Sequence, residues 1–179
     1  MKMKSIITPV LVIVVAALIL VGSKAALSKA AAVNAEKELN TMLETLLPGS
    51  TSFEMEEVTG DNAEVQAAYK GETGYVIQTA TYGYAGDIVM MVGVTNDGTV
   101  TGLVVRDLSE TFGLGANALT DTAFLAQYLE TAGDAEIGTN VDAMTGATVS
   151  SKAVTRAVNL AVAYVTGADT TSSATSWGG

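Results

Sequence analysis

The chain begins with one long apolar run and continues with shorter segments in which hydrophobic and polar residues alternate or recur at helical spacing. Residues 6–22 carry no charge and are almost entirely aliphatic, and lysines flank them at positions 2, 4, 24 and 29. This run of seventeen residues is at the short end for a helix that spans a bilayer, where every backbone polar group must be satisfied within the segment. The pattern therefore predicts a transmembrane anchor within residues 1–29.

A cleaved signal peptide is the alternative interpretation of this segment, with Ser23-Lys24-Ala25 as a weak cleavage site. Two lysines stand on each side of the apolar run, so the positive-inside rule gives little direction. The free amino terminus, and the acidic domain that follows the run, favour a cytoplasmic N-terminus and an extracytoplasmic domain.

Apolar spacing and turn residues define the elements after the anchor. Leucine and methionine recur at helical spacing up to Leu47, and Pro48-Gly49 ends the pattern. We therefore predict a helix over residues 30–47 in a connecting segment, residues 30–49. Asn96-Asp97-Gly98 is a strong signal for a hairpin turn between two strands. The strands are predicted at residues 53–58, 64–70, 75–82, 88–95 and 99–106.

Two more helices are predicted in the second half of the chain. Thr120 or Asp121 can cap a helix that continues to about residue 132. Ser150 or Ser151 can cap a final helix that continues to about residue 165. The buried face of this last helix is predicted to comprise Val154, Ala157, Val158, Ala161 and Val165.

These elements indicate one domain behind an anchor, because 179 residues leave no room for two large domains. The predicted fold class is α+β: an N-terminal transmembrane helix, then one domain with a mainly antiparallel sheet flanked by helices. The domain is expected to occupy residues 50–166. Residues 167–179 are rich in Ser, Thr and Gly and form a predicted flexible tail.

Composition narrows the chemistry that the domain can perform. The chain contains neither Cys nor His, which excludes thiolate-bound iron–sulfur clusters, c-type haem and the usual zinc sites, and we expect no metal site. An electron carrier built from this sequence would need an organic cofactor. From Glu36 onward, nineteen acidic residues stand against five basic ones, a balance opposite to that of a nucleic-acid-binding protein.

A short segment of small and hydroxyl-bearing residues precedes the last predicted helix. It reads Asp-Ala-Met-Thr-Gly-Ala-Thr over residues 142–148, and Lys152 and Arg156 follow in the first turns of the helix. A cation at a helix N-terminus is repelled by the positive end of the helix dipole, and a bound anion would offset this repulsion. Free backbone N–H groups, two cations and a threonine hydroxyl therefore form a candidate phosphate site. The alternative is that both cations extend into solvent or pair with carboxylates.

Residues 142–148 resemble the flavinylation signal Asp-x-x-Ser/Thr-Gly-Ala-Thr of a flavin-binding domain family. This FMN-binding domain is shared by the G subunit of Rnf complexes and the C subunit of sodium-pumping NADH:quinone reductases. Residues 107–115 also resemble the Glu-Thr-Pro-Gly-Leu-Gly loop of the family, with Phe112 at the usual proline position, so this loop is less rigid. Residues 83–87 resemble its Gly-Tyr-x-Gly hairpin entry. Order and spacing agree over roughly residues 70–165.

The resemblance implies that FMN is bound covalently, through a phosphoester to Thr148. It implies that Asp142 belongs to the flavinylation signal, and Lys152 is the cation that we expect beside the phosphate. The residues that it implies to line the flavin come from two segments: Glu110, Thr111, Leu114 and Gly115 on one side, and Thr145, Gly146 and Ala147 on the other.

The resemblance also implies a function, an electron-transfer subunit of a membrane Rnf-type ferredoxin:NAD oxidoreductase coupled to ion translocation. The chain would not be a stand-alone catalyst. Its implied partners are the other membrane subunits, a flavin transferase for maturation and membrane lipid, with no nucleic acid. It would span the cell (inner) membrane once, with the domain on the extracytoplasmic side. Two alternatives are a stand-alone membrane-anchored flavinylated carrier for extracellular electron transfer and an unmodified, anchored interaction domain.

Overall fold

The computed structural model describes residues 34–58, 62–108, 119 and 121–168. The predicted anchor at residues 6–22, the candidate cap Thr120 and the tail beyond residue 168 lie outside these ranges. Within them, none of the helices combines the length and the apolar character needed to cross a membrane. The chain divides into two compact units, residues 1–41 and residues 42–179.

The first helix of the described chain, α1, covers residues 34–46. Its residues 34–41 belong to the first unit, where they are almost entirely exposed and the Thr41 hydroxyl donates to the Lys37 carbonyl at 3.0 Å. Its residues 42–46 belong to the second unit, where Leu43 and Leu46 are buried. The predicted helix is therefore confirmed over its described part, and it ends just before Pro48, which cannot donate to the helical ladder.

The second unit contains one five-stranded antiparallel sheet in which each strand pairs with its neighbour in sequence. This arrangement confirms the predicted α+β domain with a mainly antiparallel sheet. The strands are β1 (Glu54–Glu56), β2 (Val65–Lys70), β3 (Gly74–Tyr82), β4 (Asp87–Thr95) and β5 (Val100–Leu108).

Strand β1 is shorter than the predicted strand at residues 53–58, and a side chain holds the residues just before it. The N–H groups of Thr51 and Ser52 donate to the Glu72 carboxylate, at 3.0 and 3.5 Å, and both hydroxyls contact the same group. These backbone groups therefore bond to a side chain instead of the strand ladder. Only residues 54–56 pair with β2.

Helix α2 (Thr122–Ala126) begins where predicted and ends earlier. Asp121 caps it by accepting from the N–H groups of Ala123 and Phe124, at 2.8 and 3.3 Å. The prediction that the helix continues to about residue 132 is wrong. Glu130 adopts φ +65°, and residues 130 and 131 exchange backbone hydrogen bonds of 2.9 Å with Val100 at the start of β5. Pairing with the sheet thus replaces further helical turns.

Helix α3 (Thr148–Thr166) is the long helix of the domain. It begins before Ser150 and Ser151, so the prediction that either serine caps it is wrong; both are buried inside its first turns. The helix ends at Gly167, which adopts the left-handed conformation that favours glycine. Of the predicted buried face, only Val165 is merely half-buried, while Val154, Ala157, Val158 and Ala161 are fully buried.

The core lies between α3 and one face of the sheet. Alternate side chains of a strand point to the same face, so every second residue of β3 and β4 meets the helix. The buried cluster combines Ile77, Ile88, Met90, Val92 and Val94 of the strands with Val154, Ala157, Val158, Ala161 and Val162 of the helix.

The opposite face of the sheet is covered in part by the end of α1. Gly93 and Gly102 are cross-strand partners, and the backbone of Leu46 lies directly against both. The Thr101 hydroxyl donates to the Leu46 carbonyl at 2.6 Å. A Cβ atom added to Gly93 would stand 2.0 Å from the Leu46 carbonyl oxygen, so only glycine permits this approach.

We expect Gly93→Ala to lower the free energy of unfolding by about 2 kcal/mol or more, because its methyl group would collide with the Leu46 carbonyl. Gly102→Ala is the matched variant, since its nearest contact, at 3.1 Å to Leu46, requires only a small displacement. Urea unfolding followed by circular dichroism measures both variants. Equal losses at the two positions would contradict the described packing of α1.

Two threonines on β3 offer a matched test of buried polar groups, because both are fully buried on the α3 side. The Thr81 hydroxyl donates to the Ala153 carbonyl at 3.0 Å, whereas the Thr79 hydroxyl has no partner among the described residues. We expect Thr79→Val to raise the free energy of unfolding by about 1 kcal/mol and Thr81→Val to lower it by about 1 kcal/mol. A loss of stability in Thr79→Val, measured by urea unfolding, would contradict this assignment.

Candidate functional site

The segment 142–148 forms a tight turn that leads into α3. The Ala147 N–H donates to the Met144 carbonyl at 3.0 Å, and Gly146 between them adopts φ +79°. This conformation suits glycine and explains why a glycine is needed at that position. The side chains of Asp142, Thr145 and Thr148 are exposed, whereas Ala147 is buried.

Ser151, on the buried side of the turn, holds it through two hydrogen bonds. Its hydroxyl, which is fully buried, accepts from the Met144 N–H at 3.1 Å and donates to the Ala147 carbonyl at 2.9 Å. One side chain thus satisfies a donor and an acceptor at the two ends of the turn. This is why the helix begins at Thr148 instead of after a serine cap.

Gln127, directly after α2, holds the other end of the segment. Its amide oxygen accepts from the Asp142 N–H at 2.8 Å, and its amide nitrogen donates to the Asp142 carbonyl at 3.4 Å. The Asp142 carboxylate itself makes no hydrogen bond with a described residue. The backbone of Asp142 is therefore fixed while its charged group remains exposed.

Ser151 belongs to a row of three buried polar residues on α3, each four positions from the next. Thr155 donates to the Ser151 carbonyl at 2.9 Å, and its hydroxyl lies 2.9 Å from that of Tyr128. Burial raises the pKa of Tyr128 to about 12. Asn159 bonds to both backbone groups of Ala135, at 2.8 and 3.3 Å. The row attaches the chain between α2 and α3 to the helix.

Sequence reasoning missed the roles of Ser151 and Gln127. A signal for the first exists, because Ser151, Thr155 and Asn159 repeat at a spacing of four within an otherwise apolar face. No comparable signal marks Gln127, whose partner lies fifteen positions away in the sequence.

Thr148 is the first residue of α3, and its exposed hydroxyl makes no hydrogen bond with a described residue. The preceding residue, Ala147, provides no side-chain cap. The N–H groups of the first helical turn have no partner within a helix, and the helix dipole favours an anion beside them. Lys152 lies one turn further on, on the same side, exposed and without an ion pair to any described residue. These groups fit a phosphate at Thr148.

Arg156 does not join this set, although its spacing from Lys152 made it a candidate. Its guanidinium forms a bidentate ion pair with the Glu64 carboxylate, with Nε 3.0 Å from each oxygen and Nη2 2.6 Å from Oε2. Both side chains are largely shielded from solvent. Arg156 therefore connects α3 to the residue before β2. For Arg156, the alternative that the cations pair with carboxylates is the correct one.

The predicted flavin-lining residues Glu110, Thr111, Leu114 and Gly115, and the departure at Phe112, lie outside the described residues. The described residue that leads into their loop shows at which end of the domain the loop begins. Leu108, the last residue of β5, pairs with Ile88, which in turn pairs with Thr81. Because Thr81 donates to the Ala153 carbonyl, β5 ends at the same end of the domain as the first turns of α3.

Comparison with known proteins identifies the family. Residues 83–163 match the FMN-binding domain family. The chain is 42% identical over 109 residues to the G subunit of the proton-translocating ferredoxin:NAD(+) oxidoreductase complex of Clostridium ljungdahlii, covering 56% of this chain and 58% of that protein. It is 37% identical over 145 residues to the G subunit of the ion-translocating oxidoreductase complex of Methanosarcina acetivorans, covering 73% of this chain and 76% of that protein.

A third relative is the G subunit of the Na(+)-translocating ferredoxin:NAD(+) oxidoreductase complex of Acetobacterium woodii, 36% identical over 98 residues, which are 50% of this chain. The chain thus spans about half the length of the Clostridium and Acetobacterium relatives, 58% and 47%, and three quarters of the Methanosarcina relative. The chain belongs to the family of G subunits of ion-translocating oxidoreductase complexes and contains an FMN-binding domain.

Proposed function

We propose that this chain is an electron-transfer subunit that carries FMN in phosphoester linkage to Thr148. The proposed complex is a membrane Rnf-type ferredoxin:NAD oxidoreductase that couples electron transfer to ion translocation. The observation that carries the proposal is the exposed Thr148 hydroxyl, which has no partner among the described residues and stands at a helix start without a side-chain cap, one turn from Lys152. The names of the Clostridium and Acetobacterium relatives support the reaction.

Attachment is a phosphoryl-group transfer onto Thr148. The hydroxyl oxygen attacks the phosphorus of an FMN phosphate activated as a pyrophosphate, as in FAD. A new oxygen–phosphorus bond forms, the bond to the leaving nucleotide phosphate breaks, and the hydroxyl proton passes to a base of the flavin transferase. The helix N-terminus and Lys152 stabilise the negative charge that the phosphodiester brings to this position.

Once bound, FMN supplies one-electron and two-electron transfer. The chain's own residues hold it and leave its ring free to react. Thr145, Gly146 and Ala147 are proposed to line one side of the flavin, with Glu110, Thr111, Leu114 and Gly115 on the other. The position of Leu108 at the α3 end of the sheet supports this assignment. A covalent tether keeps the cofactor at high effective concentration.

The proposed setting is the cell (inner) membrane. Residues 6–22 would cross it once, and the acidic domain would lie on the extracytoplasmic side. The other membrane subunits of the complex would exchange electrons with the flavin, and a flavin transferase would attach it. The anchor keeps the flavin close to those subunits.

We expect Thr148→Ala to abolish covalent flavin, because it removes the only atom that can form the proposed phosphoester. The chain is produced together with an active flavin transferase and examined for fluorescence on a denaturing gel and for intact mass. Thr139→Ala is the control, since Thr139 is also exposed and its hydroxyl bonds only within its own turn. A fluorescent band that survives in Thr148→Ala would place the attachment elsewhere. Unmodified wild-type chain would support an interaction domain instead.

Lys152 and Arg156 provide a matched pair of cations on one helix. We expect Lys152→Gln to change the free energy of unfolding by less than about 0.5 kcal/mol, since it breaks no ion pair in the described chain. The same variant should slow flavin attachment severalfold, because a charge that stabilises the phosphate is lost. Arg156→Gln should lower stability by about 1–2 kcal/mol without slowing attachment to the folded chain. Urea unfolding and the initial rate of mass increase measure both; the reverse pattern would exclude Lys152 from the phosphate site.

A further inference from the structure

We infer that Ser151 and Gln127 are positioning residues that hold segment 142–148 in the shape in which the folded chain accepts the flavin. This inference rests on the proposed attachment at Thr148. Neither side chain would contact the phosphate, because Ser151 is buried beneath the turn and Gln127 binds the backbone of Asp142. Both would act through the backbone of the segment that they hold.

Ser151 controls the turn immediately before Thr148. Its hydroxyl bonds to Met144 and to Ala147, so both ends of the turn are attached to the same buried atom. The direction of the Thr148 hydroxyl depends on the Ala147 backbone, which has φ −130° and ψ 35° and lies outside the regular helix. Loss of the Ser151 hydroxyl would leave the Met144 N–H without its partner, and the Ala147 carbonyl would keep only the Ser151 N–H, at 2.9 Å, so this backbone would be held less firmly.

Gln127 controls the opposite end of the segment. Its two hydrogen bonds fix Asp142 while the carboxylate stays exposed. The folded domain thus exposes the Asp142 carboxylate at one end of a fixed backbone and, at the other end, the Thr148 hydroxyl that would receive the flavin. The Thr145 side chain lies between them in the sequence. We expect the transferase to recognise this arrangement as a preformed surface.

A segment that is already ordered in the free chain costs a partner less to bind. Ordering a residue of a flexible loop costs about 1–2 kcal/mol of backbone entropy, and a partner that must order the loop binds it more weakly. The hydrogen bonds of Ser151 and Gln127 have already ordered the segment when the domain folds. Without them, the transferase would have to order the acceptor itself, so the KM for the chain would rise.

The test uses the full chain, purified without flavin, with a flavin transferase, Mg²⁺ and FAD, and follows intact mass over time. We expect Ser151→Ala and Gln127→Ala each to lower kcat/KM for the chain about tenfold, because each removes two hydrogen bonds. The KM for FAD should stay unchanged. Asn159→Ala is the matched control: it removes two hydrogen bonds to Ala135 from the same row of α3, two turns away. Its rate should stay within about twofold of wild type.

The outcomes separate the two proposals. Wild-type chain modified at Thr148, with both variants modified at the same rate, would overturn the inference and leave the proposed function intact. Wild-type chain that stays unmodified would overturn both. Equal slowing in Asn159→Ala would also overturn the inference, because general destabilisation would then account for the effect. Should Ser151→Ala fail to fold, Gln127→Ala decides, together with faster hydrogen exchange of the Asp142 amide, which Asn159→Ala should not change.

Discussion

The structure depends on the burial of α3 against one face of the antiparallel sheet. Apolar residues of the helix from Ala153 to Val162 lie in one buried cluster with the strands, and this burial holds the helix against the sheet. A hydrogen bond also holds the helix close to its N-terminus, since the Thr81 hydroxyl of β3 donates to the Ala153 carbonyl in the second turn. A cofactor attached to the first residue of this helix would be attached to the core of the domain. Such a fixed attachment would suit electron transfer, because the distance and orientation between electron donor and acceptor must be maintained.

The same helix organises its surroundings through polar contacts as well as apolar ones. Ser151, Thr155 and Asn159 bond to the chain between α2 and α3, a region with little regular structure of its own. Buried polar groups of this kind are costly when left unpaired, so they fix one arrangement of the chain more strictly than apolar contacts do. The helix thus supports the core on one face and shapes the segment around Thr148 on another. On this view, folding and preparation of the attachment segment are one process.

Much of the fold could be predicted from local pattern. The five strands, with β1 shorter than predicted, the hairpin turn at residues 96–98 and most of the buried face of α3 follow from periodicity and turn chemistry. The family follows from short motifs. What could not be predicted depended on partners distant in sequence. Residues before β1 bond to Glu72, residues after α2 pair with Val100, and Arg156 pairs with Glu64 across 92 positions. The serines at the start of α3 had the right chemistry for caps, but tertiary contacts placed Ser151 beneath the turn instead.

The missing side-chain cap of α3 has one more consequence. Isolated helices lose their first turn readily when the amides there lack acceptors, and Ala147 offers none. In the proposed adduct, phosphate oxygens would accept hydrogen bonds from those amides. Flavin attachment would then cap the helix as well as add a redox group. The modified and unmodified chains would then differ in how firmly the first turn of this helix is held.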